Sequence, residues 1–385
     1  MNKDIEFSKK RHIFDKALKG MGIVAISIPC MFLLFLIISL IITASGAFTS
    51  YRIKVTLPEV HITTENAANE YLVKYIYPAQ NLSNFFSISA PEQIVSKKLT
   101  GEVWLLASSQ LNDVLSDYTE IASLPLEVTQ VIQRWKANHL IEKKFNFNFF
   151  TSRESREAEL AGILTSFIGS AYIILCCIFV ALPISICTAI YLEEFAPKNL
   201  FTTLIEININ NLAAIPSIVF GLLGLSVLIN IFGMPRSAPI TAGITLAMMI
   251  LPILVITTRQ AIKSVPTNVK HAALALGATK MQVILHHTLP LSMPGIATGV
   301  ILSVARAIGE TAPLILIGMV AFIVDIPHNI FEPATALPVQ IYLWSSNPET
   351  AFQAKTAAAI LFLLSLLILI NMVAVYIRKK YENRW

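Results

Sequence analysis

The sequence predicts an all-α polytopic membrane protein, with six transmembrane helices and a small extracytoplasmic domain between the first and second. Three observations predict it. Hydrophobic residues make up 55% of the 385-residue chain and charged residues only 14%, whereas a water-soluble chain carries about 25% charged residues. Six apolar stretches, roughly 21–48, 159–191, 204–232, 239–257, 294–323 and 354–377, are long enough to cross a bilayer. Between the first two lies a polar segment, Ser50 to Ala158, with charges of both signs and ordinary soluble patterning.

The first apolar run follows Lys9, Lys10, Arg11, Lys16 and Lys19, as a signal peptide would. At 21–48 it is too long for a signal h-region of about 7–15 residues, so it reads as a permanent first span after a tail at 1–20. In the polar module, Pro91-Glu92-Gln93 followed by Ile94, Leu99, Val103, Leu105 and Leu106 reads as a helix after a cap near Ser89. Leu111, Val114, Leu115 and Tyr118 continue an apolar face. Val55-Thr56-Leu57 and Phe145-Asn146-Phe147-Asn148-Phe149 alternate as strands do. His61 and His139 stand alone, and no catalytic constellation is visible there. Cys30, Cys176, Cys177 and Cys187 lie in apolar runs without zinc-ligand spacing and read as small hydrophobic fillers. No metal site is expected.

Orientation follows from lysine and arginine. The N-terminal tail, the loop after the fourth span (Arg259, Lys263, Lys270, Lys280) and the C-terminal tail at 378–385 (Arg378, Lys379, Lys380, Arg384) are basic. Six spans put all three on one side, and the positive-inside rule makes it the cytoplasm. The module at 49–158 is then outside, with the turn Gly233-Met234-Pro235-Arg236 and the loop near 324–350. The net charge of +5 reflects these flanks rather than nucleic-acid binding.

Two charges stand inside the apolar stretch 294–323, in Ala305-Arg306-Ala307-Ile308-Gly309-Glu310-Thr311-Ala312-Pro313. A charge at the centre of a span costs about 2.5–3.5 kcal/mol on insertion scales and marks a pathway or a buried pair. A guanidinium has a fork of donors able to replace the water that an oxyanion sheds. Glu310, at i+4, can neutralise Arg306 when the path is empty. Pro313 cannot donate to the carbonyl of Gly309, so the helix should loosen there. An intrahelical pair that only steadies packing is the competing reading. Arg306, Glu310 and Thr311 are the pathway candidates, with Arg259 as an exit contact or a simple inward-facing topology charge. Asn208, Asn210 and Asn211 fall at the inner mouth of the third span.

The inner loop, about 264–290, is the most structured polar segment. Pro266 suits a first helical turn, and Val269, Ala272, Ala273 and Leu276 form one apolar face. Gly277 stands where a left-handed stop is needed, and Thr279 can cap a second helix running to Leu289. His286 and His287 are adjacent and point about 100° apart on a helix, which does not favour a metal. Ala272-Ala273, Gly277 and Leu289-Pro290 at this spacing resemble the EAA loop by which ATP-binding-cassette importer permeases dock on their ATPase. His271 replaces the Glu of that pattern and His287 its Ile.

Three further runs narrow the resemblance. Ile215-Pro216-Ser217-Ile218-Val219-Phe220-Gly221, Ala305-Arg306 with Gly309-Glu310-Thr311-Ala312-Pro313, and Leu337-Pro338-Val339 resemble signatures of phosphate-importer permeases of the A type. The resemblance covers roughly 159–385 and implies a MetI-like permease core at 159–377, the first span and outer module being an N-terminal extension. It also implies a bacterial inner-membrane location, with 49–158 a periplasmic domain, and a non-catalytic subunit of an ATP-driven phosphate importer. The implied partners are a C-type permease, an ATPase dimer that holds the ATP and magnesium, a periplasmic phosphate-binding protein, the phosphate ion and membrane lipid. No cofactor is expected on this chain, which carries no Gly-x-x-x-x-Gly-Lys-Ser/Thr loop. Sulfate, molybdate or a phosphonate are alternative cargoes, and a membrane receptor with a periplasmic sensor is an alternative class.

Overall fold

The computed structural model describes residues 2–57, 101–108, 111, 115, 126–319 and 322–381. The expected helix start at Ser89–Gln93, together with His61, Val114, Tyr118 and Arg384, lies outside these residues. Helix α1, Asn2–Phe48, carries the first span at Leu18–Phe48, 31 residues or about 46 Å. It passes directly into strand β1, Thr49–Leu57, without a linker. Strands β2, Gly101–Leu106, and β3, Ile141–Phe145, flank β1 in an antiparallel sheet of order β2-β1-β3. Helix α2, Leu126–Ala137, precedes β3.

Ile53, Val55 and Leu57 alternate along β1 and are all buried, as the two-residue period of a strand requires. The register sets Val55 opposite Val103 and Thr49 opposite Phe145. Val103, Leu105 and Leu106, expected on a helix, are therefore in a strand. A short apolar run is ambiguous in period, and pairing with β1 decides it. The alternating run at Phe145–Phe149 is divided: Phe145 ends β3, and Asn148–Thr151 is a helical turn that buries Phe149.

Helix α3, Leu164–Ile190, extends through a π-helical turn, Tyr191–Phe195. The expected third span is instead a bent pair: α4, Leu200–Ala213, and α5, Ser217–Leu223, which continues as π-helix to Ile231, with 103° between them. Pro216 lacks an N–H, and it disfavours helical geometry at Ile215. Helix α6, Pro239–Lys263, is the most buried span. Helix α7, Thr267–Ala275, lies in the inner loop and leads into α8, Lys280–Gly309, which contains a π turn at Ile284–Thr288. The expected second loop helix does not stop at Leu289: it is the first part of α8.

The apolar stretch 294–323 is not one helix either. Helix α8 ends at Gly309, and a short helix α9, Ala312–Leu316, follows. Leu337-Pro338-Val339, expected in a loop, opens helix α10, Leu337–Ser345. Helix α11, Thr350–Tyr381, is the last span. Among the described residues, five helices are long and apolar enough to cross a membrane, or six if the bent pair is one span. The fold class is as expected, with a three-stranded sheet between the first and second spans.

Small residues let the spans approach. A β-carbon on Gly243 would meet Cys176 Cβ at 2.5 Å, bringing α6 against α3. Gly295 and Gly299, four apart on α8, face Ala261 and Thr257 of α6 in the same way. Helices in a bilayer gain stability by such close backbone approach, because lipid supplies no hydrophobic drive between them.

Candidate functional site

Arg306 and Glu310 lie at the break between α8 and α9. Arg306 is in the last turn of α8, where a cation opposes the partial negative charge of the helix end. Glu310 is the cap, in extended geometry with φ −81° and ψ 122°. The pair was expected near the middle of one span, in a helix loosened beside it; the helix is interrupted there outright. Gly309 ends the helix, and Pro313 in the first turn of α9 has no N–H to continue it. Thr311 caps α9 and is partly buried. Irregular backbone at membrane depth is tolerated where protein or a cavity surrounds it.

Arg306 Nε is 3.6 Å from Glu310 Oε1, and the side chains are 40% and 20% exposed. That is an ion-pair contact and too long for a firm hydrogen bond. Gly295, Gly299, Leu302 and Arg306 follow one another at spacings of three or four on α8 and share a face. Below Arg306, this face borders a cavity of about 430 Å³ that reaches Gln260 on α6 and Arg378 on α11.

Arg259 is in a different situation. Its Nε donates to Glu193 at 2.5 Å and its Nη2 donates to Glu206 at 2.7 Å. Arg259 and Glu193 are 12% and 11% exposed, and Lys263 approaches Glu193 at 3.4 Å. A guanidinium held by two carboxylates is not open to an anion, so the exit-contact role gives way to a clamp between α3, α4 and α6. Lys270 on α7 donates to Glu194 at 2.5 Å, tying the inner loop to the π turn that ends α3. Sequence reasoning missed Glu193, Glu194 and Glu206. The available signal was an acidic pair directly after an apolar run at an end expected to be basic.

In the inner loop, Gly277 has φ 88°, the left-handed stop expected there. Thr279 Oγ1 accepts from the Gln282 N–H while Gln282 Oε1 accepts from the Thr279 N–H, a reciprocal cap. The expected single apolar face is divided. Ala273 is buried inside the hairpin, its carbonyl accepting from the Ala278 N–H. Ala272 faces out, and Leu276 is 90% exposed. Leu274, Met281 and Leu285 are also exposed, as are His271, His287 and Pro290, while Leu289 is partly buried. Ala273 therefore belongs to the hairpin's interior rather than to an open docking face. Asn208 turns back on its own helix, donating to the Leu204 carbonyl. No group of metal-ligating side chains occurs among the described residues.

Residues 181–383 match the family model described as binding-protein-dependent transport system inner membrane component, and residues 6–115 match a domain of unknown function. The probable ABC transporter permease protein YqgI of Bacillus subtilis is 32% identical over 217 residues, 54% of this chain and 73% of that protein. The phosphate transport system permease protein PstA of Haemophilus influenzae is 32% identical over 225 residues, 57% of this chain and 78% of that one. Among solved structures, a chain of the inward-facing MetNI methionine ABC transporter is 18% identical, with 57% of this chain and 96% of that chain covered at a TM-score of 0.44.

Proposed function

We infer function from one premise: the chain belongs to the family of binding-protein-dependent transport system inner membrane components. It is a multi-pass permease subunit of an ABC importer of the PstA type. From that base we propose that its cargo is inorganic phosphate, with Arg306 as the anion contact and Glu310 as its neutralising partner. The names of its relatives and the Gly-Glu-Thr-Ala-Pro run support phosphate over sulfate, molybdate or a phosphonate. Family membership sets the receptor reading aside.

The observation that carries the assignment is the contrast between two arginines. Arg259 is saturated by two carboxylates. Among the described residues Arg306 has one loose contact, at 3.6 Å, and it is 40% exposed, which leaves its donor fork available. An oxyanion leaving water needs such donors. A carboxylate one turn away lets the guanidinium give the ion up again, by offering it a second partner.

We place both termini in the cytoplasm on the lysine and arginine asymmetry. The α7–α8 hairpin then faces a separate ATPase dimer, which supplies the hydrolysis. A C-type permease would complete the pathway, and a periplasmic phosphate-binding protein would deliver the ion. The exposed Leu276 and Ala272 at the hairpin apex support docking. The test is uptake of labelled phosphate by the assembled complex in proteoliposomes, with sulfate and molybdate as competitors. ATP-dependent phosphate accumulation resistant to both supports the reading, and accumulation abolished by either competitor sinks it.

A further inference from the structure

A second polar cavity lies far along the chain from the Arg306 break. It has a volume of about 100 Å³ and sits where α1, β1 and α11 converge, with Ser50, Glu159 and Lys355 among its lining residues. Gly46 on α1 faces Ala354 on α11 at 3.4 Å from a built β-carbon, so the two helices close one wall. Lys143 and Tyr51 stand at the rim, the ammonium 5.6 Å from the ring centroid.

Three groups facing this cavity are poorly matched by protein. Lys355 is 4% exposed, and its ammonium donates to the Ala161 carbonyl. It has no other hydrogen bond among the described residues, so two of its three donors are left over. Glu159, 9% exposed, lines the same cavity and makes no hydrogen bond or ion pair among them. The Ser50 hydroxyl is 3% exposed and has no hydrogen-bond partner among the described residues. Buried charges and hydroxyls are costly unless hydrogen-bonded. A cavity this size holds about three waters at ~30 Å³ each, or one small tetrahedral ion.

We propose that this junction cavity binds a hydrogen-bearing oxyanion of the phosphate class, with Lys355 and Ser50 donating to its oxygens and Glu159 accepting its proton. The carboxylate selects among anions. A hydrogen phosphate ion has an O–H to give it, whereas sulfate and the phosphodiester of a lipid headgroup have none. The free ion is therefore favoured over both. Occupancy would tie the first span, the segment before α3 and the last span into one unit. The assignment does not rest on the transport reading, because no residue of the Arg306 site takes part.

The test uses the full-length chain in phospholipid-free detergent, with equilibrium binding of labelled inorganic phosphate and sulfate as competitor. The wild type should bind saturably and resist sulfate. Lys355→Met should weaken binding by at least about tenfold, and Ser50→Ala by severalfold. Ser50→Ala is small enough to leave the fold intact if Lys355→Met does not. Glu159→Gln should admit sulfate, and Arg306→Gln should leave Lys355-dependent binding in place. The proposal is overturned if the wild type binds nothing, so that only water fills the cavity, or if Ser50→Ala and folded Lys355→Met bind as the wild type does. It is equally overturned if Arg306→Gln abolishes the binding, if Glu159→Gln still excludes sulfate, or if mass spectrometry finds a phospholipid, retained by the wild type and lost from Lys355→Met, that free phosphate does not displace.

Discussion

Gly221 of α5 lies directly against Pro313 of α9: a β-carbon on Gly221 would stand 2.7 Å from Pro313 Cα and 2.9 Å from a Leu316 methyl. Two of the sequence runs that carried the resemblance to phosphate-importer permeases thus meet in space, one from each broken span. The glycine lets the backbone approach, and the proline holds the interruption that leaves Glu310 outside a helix. Gly221→Ala should force the α5–α9 contact apart, costing about 1–3 kcal/mol as overpacking does. Phosphate uptake by the assembled complex should fall while the chain still reaches the membrane. Wild-type uptake by Gly221→Ala would show that the contact is dispensable.

The Arg306–Glu310 pair makes a prediction with two halves. Arg306→Gln should reduce phosphate uptake to background and leave association with the ATPase unchanged. Glu310→Gln keeps the guanidinium and removes its alternative partner, so the ion should be held longer, with both KM and kcat lowered. Initial rates across phosphate concentrations separate the two. Unchanged kinetics in Glu310→Gln would leave the carboxylate with no part in release.

Arg259 should behave as a structural clamp. Arg259→Ala leaves Glu193 buried without its main partner, and breaking a buried pair in this way costs about 3–5 kcal/mol. Thermal unfolding of the purified chain should show the loss, and Glu193→Gln in the same chain should recover part of it. Normal stability with selectively impaired phosphate release would return Arg259 to the pathway.

The hairpin apex separates docking from folding. Leu276→Asp changes a side chain that is 90% exposed and should abolish ATPase pull-down without altering thermal stability. Ala273→Leu overfills the inside of the hairpin and should lower stability first. If Leu276→Asp still brings down the ATPase, the apex is not the docking surface.

Stability should also depend on pH through Glu154, which precedes the span that begins at Leu164. Burial pushes its carboxyl above the usual glutamate range, although it accepts from the Ile323 N–H at 3.3 Å and from the Thr335 side chain. A carboxyl raised in the folded state stabilises when protonated. Its contribution is full below about pH 4.5 and is lost as pH rises through the elevated value. Glu154→Gln should therefore raise the melting temperature near pH 8 and change it little near pH 4. An equal effect at both pH values would exclude the carboxyl as the source.

Much of this architecture was legible because it is local. The two-residue alternation marked Val55-Thr56-Leu57, and Gly277 and Thr279 marked the stop and restart of the inner loop. Hydropathy located the spans but could not see where one breaks, since an apolar residue counts alike on either side of a kink. Gly309 and Pro313 signalled loosening, yet the full break comes with a long-range contact that the local sequence does not show, α5 packed against α9 through Gly221. Val103, Leu105 and Leu106 read as helix because their strand partner lies nearly fifty residues earlier. The clamp on Arg259 was invisible for the same reason: its carboxylates are 66 and 53 residues away in sequence.

The passage from α1 into β1 has a mechanical outcome. Phe48 ends the helix and Thr49 begins the strand, and the side chain and N–H of Asn146, just past β3, donate to the carbonyls of Ala47 and Phe48. With no swivel at that point, the sheet is cantilevered on its anchor. Any lean of the first helix in the bilayer swings the sheet through a proportionate arc, and a load applied to the sheet is felt as torque within the membrane.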